Sequence, residues 1–360
     1  MPQKIRFASF NVENLFSRAR VLNHRSNAAV AGQLAKIEEL NKRIHQTTPF
    51  TPADKRRILE LYDELKEVID IRENRGDKLF NRAKTKVVAA SGADWDGELM
   101  FEREEFTKVT RENTAQVIKS LKADVACLVE VEDRQALAEF NSQLLDSRKF
   151  KYPFCIDGND PRGIDVALLS NFPLVSIKTH IFDGPGNSRT FSRDCLRTEL
   201  QLPDGRSLHV LCNHFKSKSG GESESDARRE RQAKRVAEIL QEYNLSKDLV
   251  IVAGDLNDTP DPDSPLRPLL DVPRLSDVLA LAHPTDATAR WTYHFRKPEQ
   301  IDFVLVSEPL KVALKDAGVE RRGIHDLARL TGGKETQFKD VTSWSNAASD
   351  HGAVWAEFEI

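Results

Sequence analysis

The sequence predicts a layered α/β protein, because short apolar strands alternate with amphipathic helices along most of its 360 residues. Seven segments carry the strand signature: IRFASFNV, DVACLVEV, DVALLS, SLHVLCNHF, DLVIVAGDL, IDFVLVS and AVWAEFEI. They are short, rich in Val, Ile, Leu and Phe, and bounded by turn or charged residues. Several combine alternation with continuous apolar runs, as strands covered on both faces do. Between them, Val117, Ile118 and Leu121 share one face of the stretch Thr114–Leu121, and Val236, Ile239 and Leu240 share one face of Asp226–Tyr243.

The first strand begins within a few residues of Met1, without the apolar run and small-residue cleavage site of a secretory leader, which predicts a cytoplasmic protein. The rhythm then breaks from about Asn27 to Asn74. Val30, Leu34, Ile37 and Ile44, followed by Ile58, Leu61, Leu65 and Val68, stand at helical spacing among many charges and predict a helical hairpin. Thr51 can cap the second helix, Pro52 suits its first position, and Asp54 favours the positive end of its dipole. The hairpin reads as an insertion into one core domain spanning 1–360. It packs on the body, joins a second copy as a homodimer element, or covers the cleft as a lid.

Composition narrows the classes. Apolar residues at 39% and charged residues at 30% are ordinary for a soluble protein, and no run approaches the length of a membrane span. Cys127 and Cys212 lie inside apolar runs, Cys155 and Cys195 lie near loops, and no Cys-x-x-Cys occurs, so reduced thiols are expected. A net charge of -3 and a pI near 6.3 exclude coating of nucleic acid by charge alone. A phosphate-rich substrate must meet a local basic patch.

The chemistry lies at the strand ends. Asn11 and Glu13 follow the first strand, Glu130 ends the second, and His214 ends another. Asp255 and Asn257 follow VIVAG, Asp302 opens IDFVLV, and Asp350 with His351 precedes the last strand. Any one of these is an ordinary turn former. Their recurrence strand after strand points to one catalytic rim. Carboxylates and a side-chain amide suit Mg²⁺ or Mn²⁺, which take oxygen ligands and leave water positions open for phosphate. No His-x-x-x-His pair, cysteine cluster, P-loop or Gly-x-Ser-x-Gly elbow is present, so the familiar zinc, NTPase and serine-hydrolase patterns have no support.

Six ordered motifs resemble the endonuclease/exonuclease/phosphatase superfamily, which includes exonuclease III-like and deoxyribonuclease I-like nucleases, sphingomyelinases and inositol polyphosphate 5-phosphatases. They are FASFNVENL, LVEVED, CNHFKSK, AGDLND, IDFVLVS and SDHGAV. The resemblance implies a four-layer sandwich of two face-to-face mixed sheets flanked by helices. It implies a metal-dependent hydrolase of phosphoric esters, most simply a nuclease-like phosphodiesterase whose substrate is a phosphodiester such as nucleic acid. The alternatives are a phosphatase, a sphingomyelinase-like phospholipase, or a binding module that kept the fold. By position, Glu130 corresponds to the principal metal ligand, with Asn11 and Glu13 beside it, though many members have Asp where this chain has Glu13. Asp255 matches the residue that orients or deprotonates the attacking water, and Asn257 the one that binds near the phosphate. His351 matches a phosphate-contacting histidine paired with Asp302, and Asp350 lies where members hold a water or second metal. His214 matches the other phosphate-facing histidine, with Asp165 of RGIDVALLS as its orienting partner.

Substrate signals are fewer. Lys216 and Lys218, then Arg228, Arg229 and Arg231, form a basic stretch that suits phosphates or serves as solvated surface. Trp344 is a candidate for stacking on a base or head group. Abasic-site endonucleases carry Tyr at the place of His214 and an aromatic shortly before the late aspartate, where this chain has Glu299 and Gln300; abasic-site repair is therefore not implied.

Overall fold

The computed structural model describes residues 3–15, 27–73, 78–102, 108–160, 163–185, 188–218, 222–294 and 296–360. The chain forms two units, Met1–Phe16 with Phe106–Ile360, and Ser17–Glu105. Its first strands are β1 (Lys4–Leu15), β2 (Ile69–Glu73), β3 (Gly97–Phe101), β4 (Val125–Val131), β5 (Tyr152–Ile156), β6 (Asp165–Ser170), β7 (Leu174–Lys178) and β8 (Cys195–Gln201). They are followed by β9 (Ser207–His214), β10 (Leu249–Asp255), β11 (Leu275–Asp277), β12 (Tyr293–His294), β13 (Pro298–Glu299), β14 (Asp302–Ser307), β15 (Leu314–Glu320) and β16 (Ala353–Glu359). The main helices are α1 (Asn27–Ile44), α2 (Pro52–Leu65), α3 (Lys108–Leu121), α4 (Arg134–Leu144) and α5 (Glu222–Leu240).

The larger unit is built on two six-stranded mixed sheets, ordered β15-β16-β1-β4-β6-β5 and β11-β14-β10-β9-β8-β7. Within each, a parallel central pair, β1 with β4 and β9 with β10, is flanked by antiparallel neighbours. Strand periodicity explains the layering, because successive side chains point to opposite faces. Ile5 and Phe7 of β1, Val125 and Cys127 of β4, and Leu249, Ile251 and Ala253 of β10 meet in one cluster between the sheets. Their neighbours Ala8 and Phe10, with Ala126 and Leu128, turn outward to Val117, Ile118 and Leu121 of α3 and Leu137 and Phe140 of α4. Val250 and Val252 turn outward on the other side, to Ala233, Val236, Ile239 and Leu240 of α5. The result is the four-layer α/β sandwich. Each aliphatic side chain fully buried in it contributes roughly 1.5–3 kcal/mol, a reserve against which a rim of crowded polar groups can be held.

All seven predicted strands are present. The edge strands β5, β7, β11 and β15 escaped the sequence reading, since strands with one covered face carry fewer apolar residues, and so did the internal strand β8, whose run is interrupted by Arg197, Thr198 and Glu199.

The unit Ser17–Glu105 has its own core. Ile37, Leu40 and Ile44 of α1 pack with Ile58, Leu61 and Leu65 of α2, and with Phe50, Ile69, Ile71, Phe80 and Trp95. Thr51 Oγ1 accepts from Asp54 N at 3.2 Å and the Asp54 carboxylate accepts from Thr51 N at 3.0 Å, a reciprocal capping box. The Trp95 indole N–H donates to the Ile44 carbonyl at 2.7 Å and satisfies the end of α1. Beyond the predicted helical hairpin, β2 and β3 form an antiparallel pair. The side chain of Val30 and residue Asn74 lie outside the described residues. None of the described helices is long and apolar enough to cross a membrane.

Candidate active site

Strand parity builds the site. The inward face that carries Leu208, Val210 and Cys212 along β9 next presents His214, and the face carrying Leu249, Ile251 and Ala253 along β10 next presents Asp255. On β14, the face of Val304 and Val306 begins with Asp302. Because β14 runs antiparallel to β10, its first residue reaches the same rim as the last residue of β10. The register makes this literal: Asp255 pairs with His214 on one side and with Asp302 on the other. In the facing sheet, Asn11 continues the inward face of Ile5 and Phe7, and His351 precedes β16, the antiparallel partner of β1. The inter-sheet core thus ends in polar side chains where its strands reach one rim.

Two bulges re-aim the glutamates. The pairing register shifts between Asn11 and Leu15 of β1 and between Val129 and Val131 of β4, where Glu13 has φ 45° and Glu130 φ 68°. Val129 therefore packs between the sheets whereas Val131, two residues on, packs against the outer helices. The extra residue swings Glu130 to the rim. Asn257 is also left-handed, at φ 57°. Non-glycine residues in this region store strain, and three of them line one cleft. Gly254, immediately before Asp255, has φ 134°, and an added Cβ would meet the Asn213 carbonyl oxygen at 1.8 Å.

The side chains converge on a cleft of about 950 Å³ in the larger unit. Asn11 Nδ2 donates to Asp255 Oδ2 at 3.1 Å and to Glu130 Oε1 at 3.5 Å, joining the two sheets at the rim. His214 Nε2 lies 3.7 Å from Asp255 Oδ2 and 3.9 Å from Glu130 Oε1. Asn257 donates its backbone N–H to Asp255 Oδ1 at 2.8 Å and its side-chain amide to the Phe215 carbonyl at 3.2 Å. His351 Nδ1 bonds Asp302 Oδ2 at 2.8 Å, and its Nε2 is 3.7 Å from Asp350 Oδ1. The Ser349 hydroxyl donates to the Asn11 carbonyl at 2.7 Å and accepts from His351 N at 3.0 Å, and Asp350 N donates to Glu13 Oε2 at 2.9 Å.

Electrostatically the cleft is overloaded with carboxylates. Burial, reinforced by Asp302, pushes Asp255 up to about 7. Loss of water on the crowded wall, then the Asp350 carboxylate, pushes Glu13 to about 7, and burial raises Glu130. Burial alone would lower His351, but Asp302 and then Asp350 hold it well above the usual imidazole range. Asp302 Oδ1 is buried without a hydrogen-bond partner. This is a donor set that fits a hard divalent cation: oxygen atoms, clustered, and short of positive charge. Two groupings offer themselves, Asn11, Glu13 and Glu130 on one wall, and Asp255, Asp302 and His351, whose ligand atoms lie within 4.8 Å of one another.

Of the residues singled out in the sequence, Asn11, Glu13, Glu130, His214, Lys218, Asp255, Asn257, Asp350 and His351 line the cleft, with Asp302 directly behind His351. Asp165, Lys216 and Trp344 do not line it. Asp165 opens β6 with Oδ1 accepting from Gly158 N at 2.7 Å, and burial pushes it to about 7. Lys216 turns its ammonium to the Ser217 carbonyl, and Trp344 is half exposed, edge-on to His325. Arg193, Tyr293, Arg296 and Lys297 also line the cleft and carried no signal in the sequence, and Glu299 lines it too, noted there only for standing where abasic-site endonucleases carry an aromatic. The Arg193 guanidinium is held by Asp160 at 2.8 Å and the Phe215 carbonyl at 3.1 Å. The aromatic sought just before Asp302 stands further upstream: β12 and β13 fold back so that the Tyr293 ring centroid lies 4.8 Å from that of His351.

The sequence profile of the endonuclease/exonuclease/phosphatase family matches residues 103–351, more than half of the chain. Among solved structures, a family protein from Bacteroides thetaiotaomicron is 14% identical with a TM-score of 0.53, covering 100% of both chains. One from Beutenbergia cavernae is 17% identical with a TM-score of 0.50, covering 69% of this chain and 66% of that one. A truncated TDP2 from Caenorhabditis elegans is 21% identical with a TM-score of 0.48, covering 70% and 91%. The comparison with curated proteins returns no match. At these identities the structural likeness shows the fold, and the profile shows the family: the chain belongs to the endonuclease/exonuclease/phosphatase family, whose members are hydrolases acting on phosphoester bonds.

Proposed function

We propose that the protein is a Mg²⁺- or Mn²⁺-dependent phosphodiesterase of nuclease-like type. The observation that carries this reading is the Asn11–Asp255 hydrogen bond, which joins the rims of two sheets and brings Glu130, His214, Asp302 and His351 around one cleft. Asn11, Glu13 and Glu130 hold the cation, because in the other grouping His351 Nδ1 is already taken by Asp302. The bound cation supplies positive charge to the phosphoryl oxygens. Asp255, poised near neutrality, accepts the proton of the attacking water; such transfer contributes roughly 10²–10⁴-fold. Asn257 fixes Asp255 through its backbone N–H and, with His214, faces the phosphate. His351, kept cationic by Asp302, donates from Nε2 to a phosphoryl or leaving oxygen, and Asp350 orients that ring or a water.

Lys218, Arg296 and Lys297 at the rim support a substrate with more than one phosphate, such as nucleic acid. One observation favours a smaller phosphate or lipid head group instead: Glu299 lies 3.2 Å from Lys218 and 3.7 Å from Lys297, taking up rim charge. The free, buried cysteines support a cytoplasmic location. We read Ser17–Glu105 as an insertion into one catalytic domain and as a candidate homodimer element. Hydrolysis of bis-p-nitrophenyl phosphate is expected to vanish in EDTA and return with Mg²⁺ or Mn²⁺, with plasmid DNA, RNA, inositol phosphates and sphingomyelin assayed in parallel. Glu130→Gln should lose calorimetric metal binding while its melting temperature changes little. Full activity in chelator, or unchanged metal affinity in that variant, overturns the reading.

A further inference from the structure

Thr292 belongs to none of the motifs read in the sequence, and none of its surface is exposed. Its hydroxyl oxygen accepts the backbone N–H groups of Ile301 and Asp302, each at 3.1 Å. Its own N–H donates to the Glu299 carbonyl at 2.9 Å, and its carbonyl accepts from Gly352 N at 2.6 Å. One residue on, Tyr293 is bridged through its backbone to His351 and sets its ring against the imidazole. Asp302 and His351, 49 positions apart in the chain, are thus both reached from this one place. The same hold extends to the third strand, since the Ile301 carbonyl accepts from Leu256 N at 2.9 Å, just after Asp255.

We infer that Thr292 is a positioning residue for the Asp302–His351 pair, its hydroxyl fixing Asp302 while its carbonyl fixes the His351 turn; this rests on the proposed phosphodiesterase reading. Packing alone does not call for threonine, because valine has nearly the same shape. What valine lacks is the oxygen that two buried N–H donors use, and unpaired buried donors move to find partners. A shift of about 1 Å in a catalytic group can cost roughly 100-fold. The Asp302 backbone is anchored to β10 by strand pairing on one side and by its N–H to the Thr292 hydroxyl on the other, so release of the hydroxyl moves the residue whose carboxylate holds His351 without touching substrate or cation ligands.

The test compares Thr292→Val with Thr292→Ser in the full chain. On bis-p-nitrophenyl phosphate with Mg²⁺, Thr292→Val is expected to lower kcat by roughly 10- to 100-fold with KM within a fewfold, and Thr292→Ser to restore most of it. In a His351→Ala background the valine should add nothing, because it acts only through that residue. Independently of turnover, the proton on His351 Nδ1, assigned by ¹⁵N-histidine labelling, should move in Thr292→Val and stay in Thr292→Ser. An unchanged resonance, or an equal loss with and without His351, overturns the inference. If Thr292→Val does not fold, Thr292→Ala replaces it; failure of both to fold makes the residue purely structural and also overturns the inference. A wild-type protein that hydrolyses none of the substrates refutes the proposed function alone, and the resonance then decides the role of Thr292.

Discussion

Asp255 shows how the burial of a single carboxylate makes stability depend on pH. Its native pKa of about 7, raised by burial and by Asp302, lies above the unfolded value of about 3.9. The native state therefore keeps a proton that the unfolded chain releases, and stability falls as pH rises from about 4 to 7, then levels off. In EDTA, Asp255→Asn is expected to melt above wild type, by a margin that grows over that window and is constant above it; a margin independent of pH speaks against the burial argument. The Asp302–His351 pair is tested by a double-variant cycle. Asp302→Asn and His351→Ala should each lose roughly 10²–10⁴-fold in kcat, and the double variant should be little worse than His351→Ala. Strict additivity breaks the pair. At this scale the sequence was informative where a residue sat in a motif, as Asp255 and His351 do, and silent for Arg193, Thr292 and Tyr293, whose roles depend on what folds back against them.

Among the elements, β9 and β10 approach each other closely beside the site. Gly254 has φ 134° and no room for a Cβ against the Asn213 carbonyl, which is backbone and cannot swing away. Gly254→Ala is expected to cost roughly 3 kcal/mol or more, read as a lower urea midpoint, and to reduce activity by displacing Asp255. A wild-type midpoint sinks this account of the glycine. The central strands other than β8 were legible because both faces are apolar, and α1 and α2 because their stripes and the Thr51 cap are local. The bulges at Glu13 and Glu130 were not, since nothing in LVEVED says that parity breaks at the glutamate. The pair β2 and β3 was missed for a related reason: Ile69 and Ile71 alternate over only five residues, and in β3 Leu99, Met100 and Phe101 run together and give no period of two.

For the whole molecule, the separation of cores makes the experiment. Among the described residues, the apolar clusters of the larger unit are built from residues of that unit, and the cluster of 17–105 from residues of that segment. A cut at 27–74 would divide Ile69 and Ile71 from Phe80 and Trp95; replacement of Ser17–Glu105 by a Gly/Ser linker removes the cluster entire. That variant is expected to melt cooperatively and keep bis-p-nitrophenyl phosphate turnover within a fewfold. If the segment is a homodimer element, light scattering should show a dimer become a monomer. A changed rate on plasmid DNA alone, at constant molar mass, would assign it to substrate access instead. The amino-acid order by itself determined the α/β layering, seven of the eight internal strands of the two large sheets, the helical hairpin and the polar residues at strand ends, because hydrophobic period and turn chemistry are written over a few neighbouring positions. Only the tertiary structure decided that Asp255 stands between His214 and Asp302, that Asn11 reaches across to it, that Tyr293 lies over His351, and that Asp165, Lys216 and Trp344 lie off the cleft. Those relations depend on strand register, bulges and the packing of two sheets, which are set by contacts between residues far apart in the chain.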